Sequence, residues 1–119
     1  MARTGYRERT TKETTIVVEI DLDGETMDGV SASTGIPFFD HMLDQLGRHG
    51  GFGLRVSCNG DLAIDAHHTV EDVGIAVGEA FDEALGDKAG VRRFASIRVP
   101  LDEALVDVAL DLSGRPYLH

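Results

Sequence analysis

Long apolar runs, cysteines and lysines are scarce in this chain of 119 residues, and each scarcity excludes a class of protein. No apolar run approaches the roughly 18 residues of a membrane-spanning helix, and the polar N-terminal segment lacks the apolar centre of a signal peptide. Cys58 is the single cysteine, which rules out an intrachain disulfide and favours a small, unreactive strand residue. We therefore expect a cytoplasmic protein with a modest core.

The charge balance is strongly acidic. Lysine occurs only at Lys12 and Lys88, against nine arginines and 21 acidic residues, and the net charge is −10. A nucleic-acid partner is not expected, because such binding needs a basic face, and nothing indicates a membrane partner. An acidic, lysine-poor surface suits a halophile's cytoplasm, where salt screens self-repulsion; an ordinary acidic protein is the alternative.

Apolar periodicity and turn residues predict an α+β fold, with helices packed on one face of an antiparallel or mixed sheet. Pro37 suits the first turn of the first helix, and Asn59-Gly60 is a typical hairpin turn between two strands. The predicted strands are 14–22, 30–34, 52–58, 61–67, 95–101 and 104–112, and the predicted helices are 35–51 and 69–86. No helix follows the last two strands, so their sheet has an uncovered apolar face.

Two adjacent histidines, His67 and His68, lie where a predicted strand gives way to the second helix, and Glu71 follows within one turn. Side chains three or four residues apart share a helix face, whereas adjacent ones diverge by roughly 100°. The two histidines are therefore suited to two different ions. Imidazole with carboxylate suits zinc, manganese, iron or nickel rather than calcium. In the alternative interpretation, Asp65 or Thr69 caps the helix and the histidines are solvated.

His41 in the first helix is a further candidate metal ligand. Asp40 or Asp44 could hold its second ring nitrogen, as carboxylates often do for ligating histidines. Together with the histidine pair and Glu71 it would supply most of one metal site but leave two sites incomplete. A partly buried polar residue is the alternative.

Three charged residues outside the helices are candidates for substrate binding. Arg93 and Arg115 lie in glycine-containing loops, where the bidentate arginine fork suits a phosphate group. Glu13 is an acid just before a strand. Surface salt bridges for the arginines, and a solvated edge charge for Glu13, are the alternatives.

Several separate motifs resemble the imidazoleglycerol-phosphate dehydratase family of histidine biosynthesis. They are "GIPFFDHMLDQLGRHGGF", "GDLAIDAHHTVEDVGIAVGEA", "GVRRF", "VPLDEAL" and "DLSGRPYL", in the family's order. The resemblance implies a hydro-lyase that removes water from imidazole glycerol phosphate, giving imidazole acetol phosphate, with two Mn²⁺ ions per active site. It also implies a duplicated pair of α+β halves of the ribosomal protein S5 domain 2-like type, and self-association into a 24-subunit shell with active sites between subunits.

The resemblance also assigns roles to individual residues. His41, His67, His68 and Glu71 match family metal ligands. Glu13 matches a family acid near the substrate, for which proton transfer is proposed and which we count as both catalytic and substrate-binding. Arg93 and Arg115 match residues that bind the phosphate. On this basis, the adjacent histidines serve two metals that hold the substrate's imidazole ring.

The sequence departs from the family in length. Residues 1–91 correspond to the first half-domain and residues 92–119 to only the first strands of the second, so the chain looks truncated at its C-terminus. The second half would bring further metal ligands. We therefore keep a non-catalytic metal-binding α+β module as the alternative function, and completion of the site by a second chain as a further possibility.

Overall fold

The computed structural model describes residues 2–119, which form two compact units, Met1–Asp87 and Lys88–His119. The first unit contains four strands and two helices, and the second contains one strand pair. The elements are β1 (Thr4–Thr10), β2 (Thr14–Asp21), β3 (Val30–Ser33), α1 (Pro37–Gly50), β4 (Gly53–Gly60), α2 (His67–Leu85), β5 (Phe94–Leu101) and β6 (Ala104–Asp111).

The first unit is a four-stranded mixed sheet in the order β1-β2-β4-β3. The β1–β2 and β2–β4 pairs are antiparallel, and the β3–β4 pair is parallel. In β2 and β4 alternate residues are buried, as expected for a sheet covered on one side. Side chains from both helices pack on that side. This confirms the predicted α+β architecture of a four-stranded sheet with two helices on one face.

The core lies between this face of the sheet and the two helices. α2 contributes a stripe of small residues, so the helix lies close to the strands, and α1 contributes Leu43. Cys58 belongs to this core, as predicted, and burial raises the pKa of its thiol. The buried core residues are Ile16, Val18, Ile20, Leu43, Leu54, Val56, Cys58, Val73, Ala76, Ala80 and Ala84.

The first helix begins and ends where the sequence predicts. Pro37 occupies its first turn, and Gly51 closes it with φ of 71°, in the left-handed region that favours glycine. The Thr34 N–H and Oγ1–H both donate to Asp40 Oδ1, at 2.8 and 2.6 Å, which fixes the start of the helix.

Two sequence-based expectations were wrong. β1 was not predicted, because its sequence "TGYRERT" is polar; it is an edge strand that packs its buried Gly5 against α2. Residues 61–67 were predicted as a strand, but 61–66 form a turn that leads into α2. The apolar residues that produced the alternating pattern, Leu62 and Ile64, are exposed.

The Asn59-Gly60 pair lies within β4 and is not a hairpin turn. Gly60 is required there for a different reason, since a Cβ atom would lie 2.1 Å from the hydroxyl oxygen of Thr69 in α2. Gly60 therefore lets α2 approach the sheet closely, and the sequence alone does not distinguish this role from that of a turn glycine.

The second unit contains the two predicted strands, β5 and β6, which pair with each other as an antiparallel hairpin. Every residue of its two strands is exposed. One face is apolar, because the register places Ile97 opposite Val108 and Val99 opposite Val106. The described residues of the chain include no helix long and apolar enough to cross a membrane.

Candidate active site

The turn between β1 and β2 presents Glu13, the candidate acid. Thr11 organises this turn, because its Oγ1 accepts hydrogen bonds from the N–H groups of Glu13 and Thr14, at 3.1 and 3.0 Å. The Thr11 N–H also donates to the Thr14 carbonyl, at 2.9 Å. The backbone that carries Glu13 is therefore fixed by local hydrogen bonds.

Asp72 connects this turn to α2. The buried Asp72 carboxylate accepts a 2.6 Å hydrogen bond from the Thr14 hydroxyl, and Thr11 Oγ1 lies 3.4 Å from the same oxygen. Arg9 forms an ion pair with the other carboxylate oxygen, at 3.5 Å. The Thr14 hydrogen bond and then the Arg9 charge hold the pKa of Asp72 below its usual value, so it stays ionised at neutral pH.

His68 lies beside this turn, at the start of α2. Its Nδ1 is 2.8 Å from Asp61 Oδ2, and this hydrogen bond is the main reason why the pKa of His68 is raised. Burial lowers this pKa, and the negative charges of Asp61, Glu13 and Asp72 each raise it by less than burial lowers it. Thr14, the residue after Glu13, hydrogen-bonds Asp72, which lies one helical turn after His68, so the fold places the β1–β2 turn against the start of α2.

His67 is held more loosely. Its Nδ1 lies 3.4 Å from Asp65 Oδ1, and both side chains are more than half exposed. The same oxygen accepts the backbone N–H of His67 at 2.8 Å, which lowers the pKa of Asp65. The two imidazole rings lie close together, 4.1 Å between centroids and tilted by 47°. Each ring therefore has its own carboxylate, although the rings themselves are neighbours.

Of the two residues considered for capping, Asp65 contacts the first turn of α2 and Thr69 does not. Asp65 accepts the backbone N–H of His67, although the N-cap residue itself is Ala66, which has no side-chain hydrogen bond. Thr69 is fully buried inside the helix. The capping role of Asp65 does not exclude metal binding by the histidines beside it.

His41 and Glu71 are exposed, on α1 and α2 respectively. The two carboxylates considered as partners of His41 have other roles. Asp40 binds Thr34, and Asp44 binds Arg48 at 2.8 Å. Within the described part of the chain, no three or more His, Cys, Asp or Glu side chains are placed to bind one metal ion.

The candidate phosphate ligands Arg93 and Arg115 lie in the second unit, around Asp111. Arg93 Nε and one terminal nitrogen donate to the two carboxylate oxygens of Asp111, at 2.7 and 3.2 Å, and its guanidinium stacks on the Phe94 ring. The Arg93 hydrogen bonds are the main reason why the pKa of Asp111 is lowered, and the Arg115 charge adds to this. The hairpin thus pairs Arg93 directly with Asp111.

Comparison with known proteins identifies the family. The profile of the imidazoleglycerol-phosphate dehydratase family matches residues 34–119. The imidazoleglycerol-phosphate dehydratase of Parafrankia sp. (strain EAN1pec) is 65% identical over 117 residues, which cover 98% of this chain and 59% of that relative. This chain belongs to the imidazoleglycerol-phosphate dehydratase family. The motif-based assignment is confirmed, and the family is one of dehydratases, which are hydro-lyases.

Solved structures of the dehydratase family share the fold. The Staphylococcus aureus enzyme superposes with a TM-score of 0.81 at 32% identity, covering 96% of this chain and 60% of that one. The Pyrococcus furiosus enzyme gives 0.71 at 37% identity, covering 93% and 57%. The chain spans about three fifths of the length of the relatives that it matches.

The residues at the start of α2 fit a metal such as manganese only as an incomplete set. Imidazole nitrogen and carboxylate oxygen are suitable donors. His68 forms its hydrogen bond to Asp61 through Nδ1, so Nε2 is the ring nitrogen that could bind a metal ion. This is a common arrangement around histidines that bind metals. Among the described residues no three such donors are placed around one point, so the ligand set is incomplete.

Sequence reasoning missed three carboxylates that hold candidate residues or their turns: Asp61 and Asp72 in the first unit and Asp111 in the second. The prediction of a strand over 61–67 hides the position of Asp61 beside His68. Asp72 lies four residues after His68 on α2, and this spacing gives no sign of its hydrogen bond to Thr14. The contact between Arg93 and Asp111 depends on strand pairing, because the hairpin register places Phe94, the next residue, opposite Asp111. The sequence around Arg93 alone does not reveal it.

Proposed function

We propose that this chain carries the first half of a manganese-dependent dehydratase site. The reaction removes water from imidazole glycerol phosphate to give imidazole acetol phosphate, in the biosynthesis of histidine. The observation that supports this most strongly is that the β1–β2 turn, which presents Glu13, is hydrogen-bonded to α2 through Thr14 and Asp72, one helical turn after His68, in a member of the dehydratase family. Thr14 and Asp72 are 58 residues apart in sequence, so only the fold brings the turn and the helix together.

The proposed metal ligands from this chain are His41, His67, His68 and Glu71. Bound manganese would act as a Lewis acid that stabilises negative charge on the substrate's imidazole ring. His68 is prepared for this role by its hydrogen bond to Asp61, which orients the ring. The His67 ring is held less firmly, because its 3.4 Å contact with Asp65 is more than half exposed on both sides.

Glu13 is the proposed catalytic acid–base. The elimination takes a proton from carbon and expels a hydroxyl group, and the two leave together as water. A carboxylate near the substrate can accept the first proton or deliver one to the departing hydroxyl. Glu13 suits this task because the Thr11 and Asp72 contacts fix its backbone while its side chain stays partly exposed.

Arg93 and Arg115 are the proposed phosphate ligands. Asp111 holds the Arg93 guanidinium through two parallel hydrogen bonds, which is the geometry that also binds phosphate. Arg115, whose positive charge also lowers the pKa of Asp111, would supply the second positive charge for the phosphate.

The complete centre requires residues that this chain does not bring together. We propose that they come from other subunits or from the sequence that the longer relatives contain, in a cytoplasmic 24-subunit assembly with active sites between subunits. A non-catalytic metal-binding module is the second candidate function. The incomplete ligand set among residues 2–119 argues against catalysis by the isolated chain, and only in that comparison does it favour the module over the enzyme.

The first experiment measures bound manganese per chain after metal removal and reloading, together with the mass in solution. His68→Ala should lose manganese while it keeps the helical circular-dichroism spectrum. His49→Ala is the matched control, because His49 is an exposed histidine at the end of α1 that contacts only Gln45. If His68→Ala keeps full manganese content, the ligand assignment is wrong.

Turnover of imidazole glycerol phosphate separates the two candidate functions. Manganese binding in a large assembly with turnover that Glu13→Gln abolishes would support the dehydratase. Manganese binding without turnover would support the metal-binding module. A chain that binds no manganese would refute both candidates for this polypeptide.

A further inference from the structure

The turn before α2 places one carboxylate in a distinctive position. Asp61 directly follows β4, and its Oδ2 lies 2.8 Å from Nδ1 of His68, the second residue of α2. The Asp61 and His68 side chains are 22% and 32% exposed, so the hydrogen bond is largely shielded from water. Shielding strengthens it relative to a similar contact at the surface.

The direction of this hydrogen bond determines the state of the imidazole. An ionised carboxylate can only accept, so Nδ1 of His68 must carry the proton. A neutral imidazole has a single N–H group, and Nε2 is then left with a free lone pair. The ring is therefore presented to the site through Nε2, in one tautomer and one orientation.

Asp61 is itself held in place by the backbone. Its carbonyl accepts the N–H of Ile64 at 2.8 Å and that of Asp65 at 3.4 Å, which closes the turn. Gly60, the residue before it, is paired with Thr14 of β2, next to the turn that presents Glu13. The backbone of Asp61 is thus fixed by a hydrogen-bonded turn directly after the sheet, which limits where its carboxylate can lie.

The burial of the second oxygen of Asp61 is unfavourable, so the stability of the fold alone does not explain this carboxylate. Its Oδ1 is buried and has no hydrogen-bond partner in the part of the chain that the structure describes. Burial of an unpartnered carboxylate oxygen costs free energy. Groups of this kind in native proteins call for a functional explanation.

The neighbouring pair, Asp65 and His67, is a useful comparison, because its carboxylate also lies at the start of α2 but does not hold the histidine ring closely. Asp65 lies 3.4 Å from Nδ1 of His67, and both side chains are more than half exposed. Its Oδ1 instead accepts the backbone N–H of His67 at 2.8 Å. Asp65 therefore serves the start of the helix, whereas Asp61 serves the ring of His68.

We propose that Asp61 is a positioning residue that fixes the Nδ1–H tautomer of His68 and so presents Nε2 as the metal donor. The donor role rests on the proposed function, in which His68 is a metal ligand. The tautomer is a property of the metal-free chain and stands independently of it. Asp61 acts through His68 and does not itself contact metal or substrate.

The test combines two measurements on the full chain. Nuclear magnetic resonance of ¹⁵N-histidine-labelled protein, without metal and at a pH where His68 is neutral, reports which ring nitrogen carries the proton. Paramagnetic resonance of free Mn²⁺ measures manganese affinity. The variants are Asp61→Ala and the matched control Asp65→Ala, each checked for an unchanged helical circular-dichroism spectrum.

The wild-type chain should show the Nδ1–H tautomer at His68. Asp61→Ala should lose this preference and weaken manganese binding by about 10–100-fold. Asp65→Ala should leave the His68 tautomer unchanged and affect manganese binding much less. An Nε2–H tautomer in the wild-type chain would overturn the inference without any variant, which matters if Asp61→Ala does not fold.

Failure of the inference differs from failure of the proposed function. Manganese binding that is equal in the wild-type chain and in Asp61→Ala overturns the inference and leaves the function intact. A wild-type chain that binds no manganese refutes the function and the donor role of His68, and the tautomer measurement still decides whether Asp61 fixes the ring.

Discussion

Residues 2–87 and residues 88–119 present functional side chains in two different ways. In the first unit, a buried core of eleven apolar residues supports the turns that carry Glu13, Asp61 and His68. In the second unit, Arg93 and Arg115 stand on a hairpin whose strands are exposed throughout. The proposed metal ligands thus depend on packing, and the proposed phosphate ligands depend on strand pairing and ion pairs.

This difference determines how firmly each group is held. Side chains anchored on packed elements keep their geometry because movement would open cavities in the core. A two-stranded hairpin is marginally stable by itself, and exposed ion pairs such as Arg98–Asp107 contribute little. We infer that the first unit determines the stability of the chain, whereas the arginine site needs further contacts to become rigid.

The largest expected difference between the units comes from truncating a leucine in each. Leu54 is fully buried in β4, so Leu54→Ala should lower the free energy of unfolding by about 2–5 kcal/mol. Leu105 in β6 is 58% exposed, and Leu105→Ala should change the free energy of unfolding by less than about 0.5 kcal/mol. Urea unfolding followed by circular dichroism measures both. Equal losses would show that the hairpin is part of the same cooperative unit.

The next test uses glycines within the first unit. A Cβ on Gly5 would lie 2.0 Å from the carbonyl oxygen of Ala80, which is backbone and cannot move aside. Gly5→Ala should therefore destabilise the chain by about 1–3 kcal/mol or more, as overpacking does. Gly78, in the same helix α2, has open space around it, and Gly78→Ala should stabilise by up to about 1 kcal/mol. Thermal unfolding of both variants should shift in opposite directions.

A smaller difference is expected from two aspartates. Asp72→Ala leaves the Thr14 hydroxyl without its buried acceptor and should cost about 1–3 kcal/mol. Asp107, in the exposed Arg98–Asp107 pair, is the control, and Asp107→Ala should cost less than about 1 kcal/mol. Urea unfolding gives both values. A negligible loss in Asp72→Ala would mean that the Thr14–Asp72 hydrogen bond does not hold the β1–β2 turn against α2.

How far the sequence predicts the fold depends on which residues carry the signal. The strands β2 and β4 and both helices were predictable, because their apolar residues repeat with the period of the element they form. β1 was not, because an edge strand with one buried glycine has no apolar period. The 61–66 turn was assigned as a strand because Leu62 and Ile64 alternate with small or polar residues while remaining exposed.

The candidate site divides in the same way. The motif around His67 and His68 was recognisable because its residues are adjacent in sequence. The contacts that orient them were not, since Asp61 reaches His68 only through a turn and Thr14 reaches Asp72 across 58 residues. Asp111 meets Arg93 through the hairpin register. Spacing along a chain identifies likely ligands, whereas the residues that position them are identified by the fold.

The smallest expected effect is on the salt dependence of two pKa values, that of Asp21 in the first unit and that of Asp111 in the second. Asp21 is buried and accepts five hydrogen bonds from Asp23, Gly24, Thr26 and Met27, which lower its pKa to about 2. Asp111 is exposed, and its pKa is lowered mainly by Arg93. Salt screens exposed ion pairs but hardly affects buried dipoles. The pKa of Asp111 should therefore rise towards its ordinary value at high salt, while that of Asp21 should stay near 2.

The sign of the stability change follows for Asp21. Its pKa is lower in the folded than in the unfolded state, so its contribution is fully present above the unfolded value of 3.8 and is lost as pH falls towards 2. The unfolding midpoint should then be insensitive to this group between neutral pH and pH 4. Carboxyl-carbon resonances of Asp21 and Asp111, titrated at low and high salt, measure both pKa values. If the pKa of Asp21 depended strongly on salt, the loop around it would be open to solvent. Asp21 would then not differ from Asp111 in the way that a packed and an exposed unit should.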